Sequence, residues 1–179
     1  MSDAVGRADD AADRWFEFHL RGRPGIDRAF YTASAAGEFG AIWLIYGALQ
    51  ARRGPLARRR FRRLVVAMGL ESAMVNGVVK SLFDRRRPVP DFERPLPLRI
   101  PITSSFPSGH ASSALTAATL LSDGEESRAL RALYWGTAAL VAASRVHVKI
   151  HHASDVVGGL AVGRAYALAV RKVAPLDPH

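Results

Sequence analysis

The sequence predicts an all-α protein: a membrane-embedded helical bundle with about five spanning helices, preceded by an N-terminal amphipathic helix that lies at the membrane interface. Three observations predict this class. Of the 179 residues, 49% are hydrophobic. Five apolar runs alternate with charged or proline-rich connections, and a helix needs about 20 apolar residues to cross a bilayer. The chain has no cysteine, which excludes a disulfide scaffold, thiolate metal ligands and a cysteine nucleophile.

The N-terminal segment, residues 1–28, is charged and carries a small aromatic cluster. Trp15, Phe16 and Phe18 lie close together in an otherwise polar stretch. This pattern favours an amphipathic helix on the membrane surface. The segment has no apolar stretch of the kind found in secretory signals, so we expect no cleaved signal peptide.

Five apolar runs follow, and each is interpreted as a spanning helix. The first, residues 29–51, holds a single charge, Glu38, and is the best candidate. The second, residues 64–83, contains Glu71 and Lys80, which we expect to face the interior because ions are costly at bilayer depth. For both glutamates we favour hydrogen-bonded interior or interfacial contacts over proton relay. The other runs are alanine-rich or slightly short, and they cover residues 100–122, 129–144 and 155–170.

The connection at residues 51–63 indicates how the bundle is oriented. It holds seven arginines and no acid, a density typical of the cytoplasmic face. Five spans would then place residues 84–103 and 145–153 on the opposite side. Because lysines and arginines are nearly balanced between the two sides as a whole, the orientation depends mainly on this connection.

The net charge of +9 favours nucleic acid, anionic lipid or a phosphorylated substrate as partner. A nucleic-acid-binding module would explain the charge but not the apolar runs. We therefore expect a membrane and a lipid phosphate as partners, and no nucleic acid.

Three polar clusters lie at the ends of the predicted helices. They resemble the motifs of the type 2 phosphatidic acid phosphatase superfamily, KxxxxxxRP, PSGH and SRxxxxxHxxxD, and every fixed position matches at the family's spacing. The resemblance covers the chain from Lys80 to Asp155. The clusters are Lys80 to Arg87-Pro88, Pro107-Ser108-Gly109-His110, and Ser144-Arg145 to His151 and Asp155.

His151 and Asp155 can supply nucleophilic chemistry. On a helix, residues four apart share a face, so the carboxylate can hold the Nδ1 proton of the imidazole. Nε2 is then free to attack phosphorus and form a phosphohistidine. The resemblance assigns these two residues the same roles.

The remaining motif residues suit a phosphoryl group. Lys80, Arg87 and Arg145 supply the positive charge that phosphoryl transfer needs. We expect a helix to begin near Pro107 or Ser108, where the N–H groups of Ser108 and Gly109 would favour an anion. His110, whose ordinary pKa permits both protonation states at neutral pH, is the expected general acid, as the resemblance also implies.

The resemblance implies an integral membrane enzyme that removes a terminal phosphate from a lipid monophosphate or diphosphate, with no metal or cofactor. Candidate substrates are prenyl diphosphates such as the undecaprenyl carrier, phosphatidic acid, phosphatidylglycerol phosphate and a decaprenyl-phosphoryl sugar phosphate. It places the site on the outer face of the cytoplasmic membrane. The predicted domains are the interfacial segment 1–28, the catalytic bundle 29–172 and the tail 173–179.

Alternatives remain at the sequence level. One is a degenerate member that only binds lipid phosphates. Others are a soluble acid phosphatase, which would need a secretion signal, and a vanadate-binding haloperoxidase, a class that is generally much longer. The sequence does not indicate an oligomeric state.

Several neighbouring residues are assigned lesser roles. For Arg85 and Arg86 we favour contact with the surface or lipid headgroups over direct contact with the substrate. We interpret His147 and His152 as supporting or surface residues. A zinc site from these two and His151 would need acidic ligands in the right geometry, so we favour no metal. The proline-rich residues 89–105 form a candidate lid.

Overall fold

The computed structural model describes residues 3–176, and over that range it contains helices and no strand. This confirms the all-α class. Residues 1–2 and the end of the predicted tail, residues 177–179, lie outside the described residues. The seven α-helices are α1 (Asp3–His19), α2 (Pro24–Ala36), α3 (Ala41–Ala51), α4 (Pro55–Ser72), α5 (Gly109–Leu121), α6 (Arg128–His147) and α7 (Ala153–Val173).

Four of the helices begin at residues that suit a helix N-terminus. Pro24 and Pro55 occupy the first turns of α2 and α4, where a missing N–H costs nothing. Ser108 and Ser127 cap α5 and α6, each accepting a hydrogen bond from the backbone N–H three residues on. The start of α5 therefore lies where the sequence predicts it.

The prediction of one continuous spanning helix over residues 29–51 is wrong. A short 3₁₀ turn, Glu38–Gly40, separates α2 from α3. Phe39 has φ of 52° and Gly40 has φ of 71°, and an α-helix cannot continue through left-handed residues. With 11 residues, α3 is about 17 Å long, which is well short of a bilayer's hydrocarbon core.

Two helices are long and apolar enough to cross a membrane among the residues that the structure describes. In the first, α4 continues through a π-helical turn, Ala73–Val78, and a 3₁₀ turn, Val79–Leu82, to give one rod from Pro55 to Leu82. The second is α7. The predicted count of five spanning helices is not reached by this measure and stays a prediction.

The bundle is built around α5, which packs against α4, α6 and α7. Its alanines at 114, 117 and 118 are fully buried. Gly159 and Gly163 of α7 bring α5 closest, because a Cβ at Gly163 would overlap the Ser112 carbonyl oxygen and one at Gly159 would overlap that of Ser108. Small residues at such crossings let two helices pack backbone to backbone.

Ion pairs mark one end of the bundle, where α4 begins and α7 ends. Asp123 pairs with Arg63 at 2.6 Å and with Arg171 at 3.0 Å, and Glu125 pairs with Arg53 at 2.9 Å. Because α4, α5, α6 and α7 alternate in direction, the end of the α4 rod, the start of α5 and the α6–α7 connection lie at the other end. All three motifs are therefore at one end of the bundle, opposite the arginine-dense connection.

The first helix, α1, packs against α6 and α7 at the motif end. Phe16 joins a small apolar cluster with Val146 and Val156, whereas Trp15 and Phe18 are exposed. The predicted helix is present, but one of its acids, Asp9, is buried against the bundle. Contact with the bundle therefore helps to position α1, and its location at the membrane interface stays a prediction.

Candidate active site

Hydrogen bonds join the three sequence motifs. The Ser108 N–H donates to the Asp155 carbonyl oxygen at 2.9 Å, which links the second motif to the third. Arg87 Nη1 lies 3.2 Å from His151 Nε2, which links the first to the third. The carbonyl oxygen of Arg145 accepts the N–H of His151 at 3.1 Å, so the chain turns sharply after α6. The predicted site residues come together at this end of the bundle.

His151 and Asp155 are both buried, at 2% and 0% exposed. We expected them to share one face of a helix, but they do not. His151 lies in the connection before α7, and Asp155 lies in the first turn of α7. Lys149, with φ of 53°, helps to turn the connection. His151 Nδ1 is 3.6 Å from Asp155 Oδ2, somewhat longer than a hydrogen bond. The carboxylate nevertheless lies on the Nδ1 side of the ring.

The opposite ring nitrogen of His151 faces a cation. A guanidinium can only donate, so the contact with Arg87 makes Nε2 the acceptor. His151 lies outside the spanning segments, and burial lowers its pKa from 6.5 to about 4, with Arg145 and Arg87 adding to the decrease and Asp155 opposing it. The imidazole is therefore neutral, with its Nε2 lone pair available, at neutral pH.

The Asp155 carboxylate is held by residues that the sequence analysis did not assign to the site. Arg85 Nη1 donates to Oδ1, and the buried Ser105 hydroxyl donates to Oδ2. The backbone N–H of His152 also donates to Oδ2, at 2.9 Å. The preferred surface or headgroup role of Arg85 is thus wrong: its side chain is 14% exposed and pairs with Asp155. Arg86 is exposed, in line with its expected role.

Arg145 is fully buried and only partly paired. Its Nη1 donates to the Ser34 hydroxyl. No residue from 3 to 176 accepts a hydrogen bond from its Nε or Nη2. Buried donors on a cation are costly to leave unpaired, and two such donors suit contact with an anion.

Lys80 and Arg87 supply the other two cations. Lys80 is 5% exposed, and its Nζ is 3.5 Å from the Thr103 hydroxyl. Arg87 donates to the carbonyl oxygens of Pro101, Thr103 and Ser104, at 3.0 to 3.2 Å. These contacts fix the guanidinium and also attach the end of the proline-rich loop to the site.

The start of α5 places His110 beside Glu38. His110 Nε2 is 3.7 Å from Glu38 Oε1, and the other oxygen of Glu38 accepts a hydrogen bond from Arg99 at 3.4 Å. Gly37 permits this approach, because a Cβ there would lie 3.0 Å from His110 Cδ2. Arg145 is near enough for its positive charge to act on His110. The break between α2 and α3 thus brings a carboxylate to the site.

Ser108 and Gly109 differ in what they can offer an anion. The Ser108 N–H already donates to the Asp155 carbonyl oxygen, so this group is not available as expected. Gly109 is the first residue of α5, where backbone N–H groups lack partners within the helix. Asn76, on the π-helical turn, packs closely against Gly109, and a Cβ on the glycine would lie 3.0 Å from Asn76 Oδ1.

His147 and His152, which lie between the fixed positions of the third motif, have structural contacts. His147 is buried. Its Nε2 lies 2.8 Å from Asp27 Oδ1, and its ring stacks on that of Phe30 with 4.3 Å between the ring centroids. The backbone N–H of His152 donates to Asp155 Oδ2. Within residues 3–176, no three histidine, aspartate or glutamate side chains form a group that could hold a metal ion. Glu71, the buried acid of α4, accepts a hydrogen bond from the Ser112 hydroxyl.

The predicted lid, residues 89–105, is attached to the α6–α7 connection. Arg94 donates to the carbonyl oxygens of Val148 and Lys149, at 3.4 and 3.2 Å. Lys149 pairs with Asp91 at 2.8 Å. The loop therefore lies over the motif end of the bundle.

Comparison with known proteins identifies a family and a similar curated protein. The family model described as the PAP2 superfamily matches residues 60–177. A decaprenylphosphoryl-5-phosphoribose phosphatase of Mycolicibacterium smegmatis is 35% identical over 163 residues, which cover 89% of this chain and 84% of that protein.

Two solved structures have similar folds. A transmembrane PAP2 type phosphatidylglycerolphosphate phosphatase from Bacillus subtilis superposes with a TM-score of 0.72 at 24% identity, covering 96% of this chain and 87% of that chain. Aquifex aeolicus LpxE superposes with a TM-score of 0.66 at 26% identity, covering 89% and 93%. Because the family model spans more than half of the sequence and the site carries all three motifs, the chain belongs to the PAP2 superfamily.

Proposed function

We propose that the chain is a membrane lipid phosphatase that removes a terminal phosphate from its substrate through a phosphohistidine at His151. The observation that carries the proposal is the position of His151 Nε2, which faces Arg87 and has the Asp155 carboxylate on the other side of the ring. The unpaired donors of Arg145 supply a place for the phosphoryl oxygens.

In the first step, the Nε2 lone pair of His151 attacks phosphorus, and the bond from phosphorus to the leaving oxygen breaks. His110 donates a proton to that oxygen. Lys80, Arg87 and Arg145 neutralise charge on the equatorial oxygens, where phosphoryl transfer most needs it. Asp155 stabilises the imidazolium that forms at His151.

In the second step, water attacks the phosphohistidine and the bond between phosphorus and Nε2 breaks. His110, now neutral, accepts a proton from the water. Inorganic phosphate leaves and His151 returns to the neutral form. Two such steps replace one difficult displacement, and neither step requires a metal ion.

A lipid is the favoured substrate class because apolar side chains surround the motif end. Val78 and Leu82 on the end of the α4 rod, Val157 at the start of α7 and Ile102 in the loop are each at least 60% exposed. Exposed apolar surface of this kind suits contact with acyl or prenyl chains. The Mycolicibacterium smegmatis relative favours a decaprenyl-phosphoryl sugar phosphate among the candidates.

The test is inorganic phosphate release by detergent-purified protein with EDTA present. The substrate panel contains a polyprenyl-phosphoryl sugar phosphate, undecaprenyl diphosphate, phosphatidic acid, phosphatidylglycerol phosphate and a soluble aryl phosphate. His151→Ala is compared with His19→Ala, a matched control because His19 is exposed on α1. Release from a lipid that persists in EDTA and is lost only in His151→Ala is the expected result.

Other outcomes would contradict the proposal in different ways. Release that EDTA abolishes would refute metal independence. Release from the aryl phosphate alone would favour an acid phosphatase. Tight binding of a lipid phosphate without turnover would favour a protein that only binds such lipids.

A further inference from the structure

Asp9 is the one residue of α1 that is buried against the bundle, at 5% exposed. This amphipathic helix belongs to a segment that the sequence predicts to lie outside the catalytic bundle. A buried carboxylate is costly unless charged or hydrogen-bonding partners surround it. Its partners therefore indicate why it is there.

All the polar contacts of the Asp9 side chain are with Arg85 or with Ser154, the residue before Asp155. Asp9 Oδ1 accepts the Ser154 N–H at 2.8 Å, and Oδ2 accepts the Ser154 hydroxyl at 2.7 Å. Oδ2 also accepts Arg85 Nη2 at 2.7 Å. Burial acts to raise the pKa of Asp9, but the hydrogen bonds from Ser154 and Arg85 outweigh it, and the pKa lies below 3.8.

Arg85 binds both Asp9 and Asp155 and so links the two carboxylates. Its Nη2 binds Asp9, while its Nη1 donates to the Ser154 hydroxyl at 2.7 Å and to Asp155 Oδ1. One guanidinium is thus shared between two buried carboxylates. Asp9 also holds the backbone of Ser154 in the first turn of α7, next to Asp155 itself.

We propose that Asp9 is a positioning residue for the pair of Asp155 and His151. It holds Arg85 against Oδ1 of Asp155, which leaves Oδ2 turned toward His151 Nδ1. Its charge also offsets that of Arg85, so that Asp155 keeps enough negative charge to stabilise the imidazolium at His151. The inference rests on the proposed roles of His151 and Asp155, and it makes α1 part of the active site.

The main variant is Asp9→Asn, because asparagine keeps the size of the side chain and can still accept the Ser154 N–H. It loses the charge, and its amide nitrogen cannot accept a hydrogen bond from Arg85 Nη2 as Asp9 Oδ2 does. Asp10→Asn is the matched control, since Asp10 is the next residue of α1, is exposed and undergoes the same change of charge.

We expect Asp9→Asn to lower kcat roughly ten- to a hundredfold, the scale of losses when a reacting group is slightly misplaced. KM, the melting temperature and the affinity for inorganic phosphate should stay near those of the wild type. Orthovanadate mimics the phosphoryl group in the transition state, so calorimetry should show its binding weakened by a factor similar to the loss in kcat. Asp10→Asn should change none of these quantities.

A double-mutant cycle with Arg85→Met tests the route. If Asp9 acts through Arg85, Asp9→Asn should have little further effect on kcat in the Arg85→Met background. Ser154→Ala is a milder second variant that removes one hydroxyl from the same network. It should lower both kcat and orthovanadate affinity severalfold, and it keeps the test decisive if Asp9→Asn does not fold.

Three results would overturn the inference. They are an Asp9→Asn enzyme with the kcat and orthovanadate affinity of the control, a fully additive cycle with Arg85→Met, and unchanged behaviour of Ser154→Ala. The failure of the proposed function is a separate result: the wild type would release no phosphate from any substrate. In that case the comparison of orthovanadate with phosphate binding still decides the role of Asp9.

Discussion

Arg87 Nη1 lies 3.2 Å from His151 Nε2, so the cation next to the proposed nucleophile comes from a different motif and a different part of the chain. The same guanidinium is fixed by backbone carbonyl oxygens of the loop that precedes α5. A substrate phosphoryl group that reaches Nε2 must therefore contact Arg87. This arrangement makes Arg87 the most direct probe of phosphate binding.

Arg87→Ala should lower kcat/KM by about a hundred- to a thousandfold, because it removes a fixed donor to the oxygens on which charge develops. Arg86→Ala is the matched control, since Arg86 is the adjacent arginine and is exposed. Steady-state kinetics on the best lipid substrate gives the comparison. Equal losses in the two variants would mean that general positive charge, and not the position of Arg87, matters.

The lowered pKa of His151 predicts an unusual dependence of activity on pH. Burial lowers its pKa to about 4, so the ring stays neutral and nucleophilic well below pH 6.5. The fall in kcat/KM at low pH that is due to protonation of His151 should therefore have its midpoint near pH 4. Protonation of the substrate phosphate also lowers kcat/KM at low pH. Two substrates with different phosphate pKa values separate the two effects, because the midpoint that is due to His151 is the same for both substrates. A midpoint for His151 near pH 6.5 would contradict the burial argument.

The crossing of α5 and α7 should be sensitive to a single methyl group. In Gly163→Ala the added Cβ would overlap the Ser112 carbonyl oxygen, and overpacking of this kind costs about 1–3 kcal/mol. We expect a lower melting temperature in detergent and reduced phosphate release, because the start of α5 shifts relative to α7. Gly136→Ala on α6 is the control, since nothing lies within 4 Å of its added Cβ. A Gly163→Ala protein as stable as the control would refute the close crossing.

The absence of cysteine permits a direct test of sidedness. Arg86→Cys lies at the motif end and Arg58→Cys in the arginine-dense connection, and both positions are exposed. If the site faces away from the cytoplasm, a membrane-impermeant maleimide should label Arg86→Cys in intact cells. Arg58→Cys should react only after permeabilisation. The reverse pattern would place the active site in the cytoplasm.

Local patterns predicted the motif end of the fold well. The Pro107-Ser108-Gly109-His110 sequence combines a cap with a glycine, and α5 begins at that point. Alternating apolar runs imply alternating helix directions, and this alone brings the three motifs to one end. The convergence of Lys80, Arg87, Arg145, His110, His151 and Asp155 follows from those two facts.

Features that depend on backbone conformation or on distant contacts were not predictable in the same way. The apolar run at residues 29–51 contains Gly37 and Gly40 on either side of Glu38, and this spacing is the one local signal of the break. Hydropathy does not report a left-handed φ. The pairing of Asp9 with Arg85 joins residues 76 positions apart, and no periodicity encodes it.

In the proposed mechanism, His151 carries the phosphoryl group during turnover. The most direct measurement is rapid quenching of the enzyme with substrate labelled in its terminal phosphate, followed by mapping of the labelled peptide. We expect label on His151 that is stable to alkali and labile to acid, present in Asp10→Asn and absent in His151→Ala. Turnover with no labelled enzyme, or label on another residue, would contradict it.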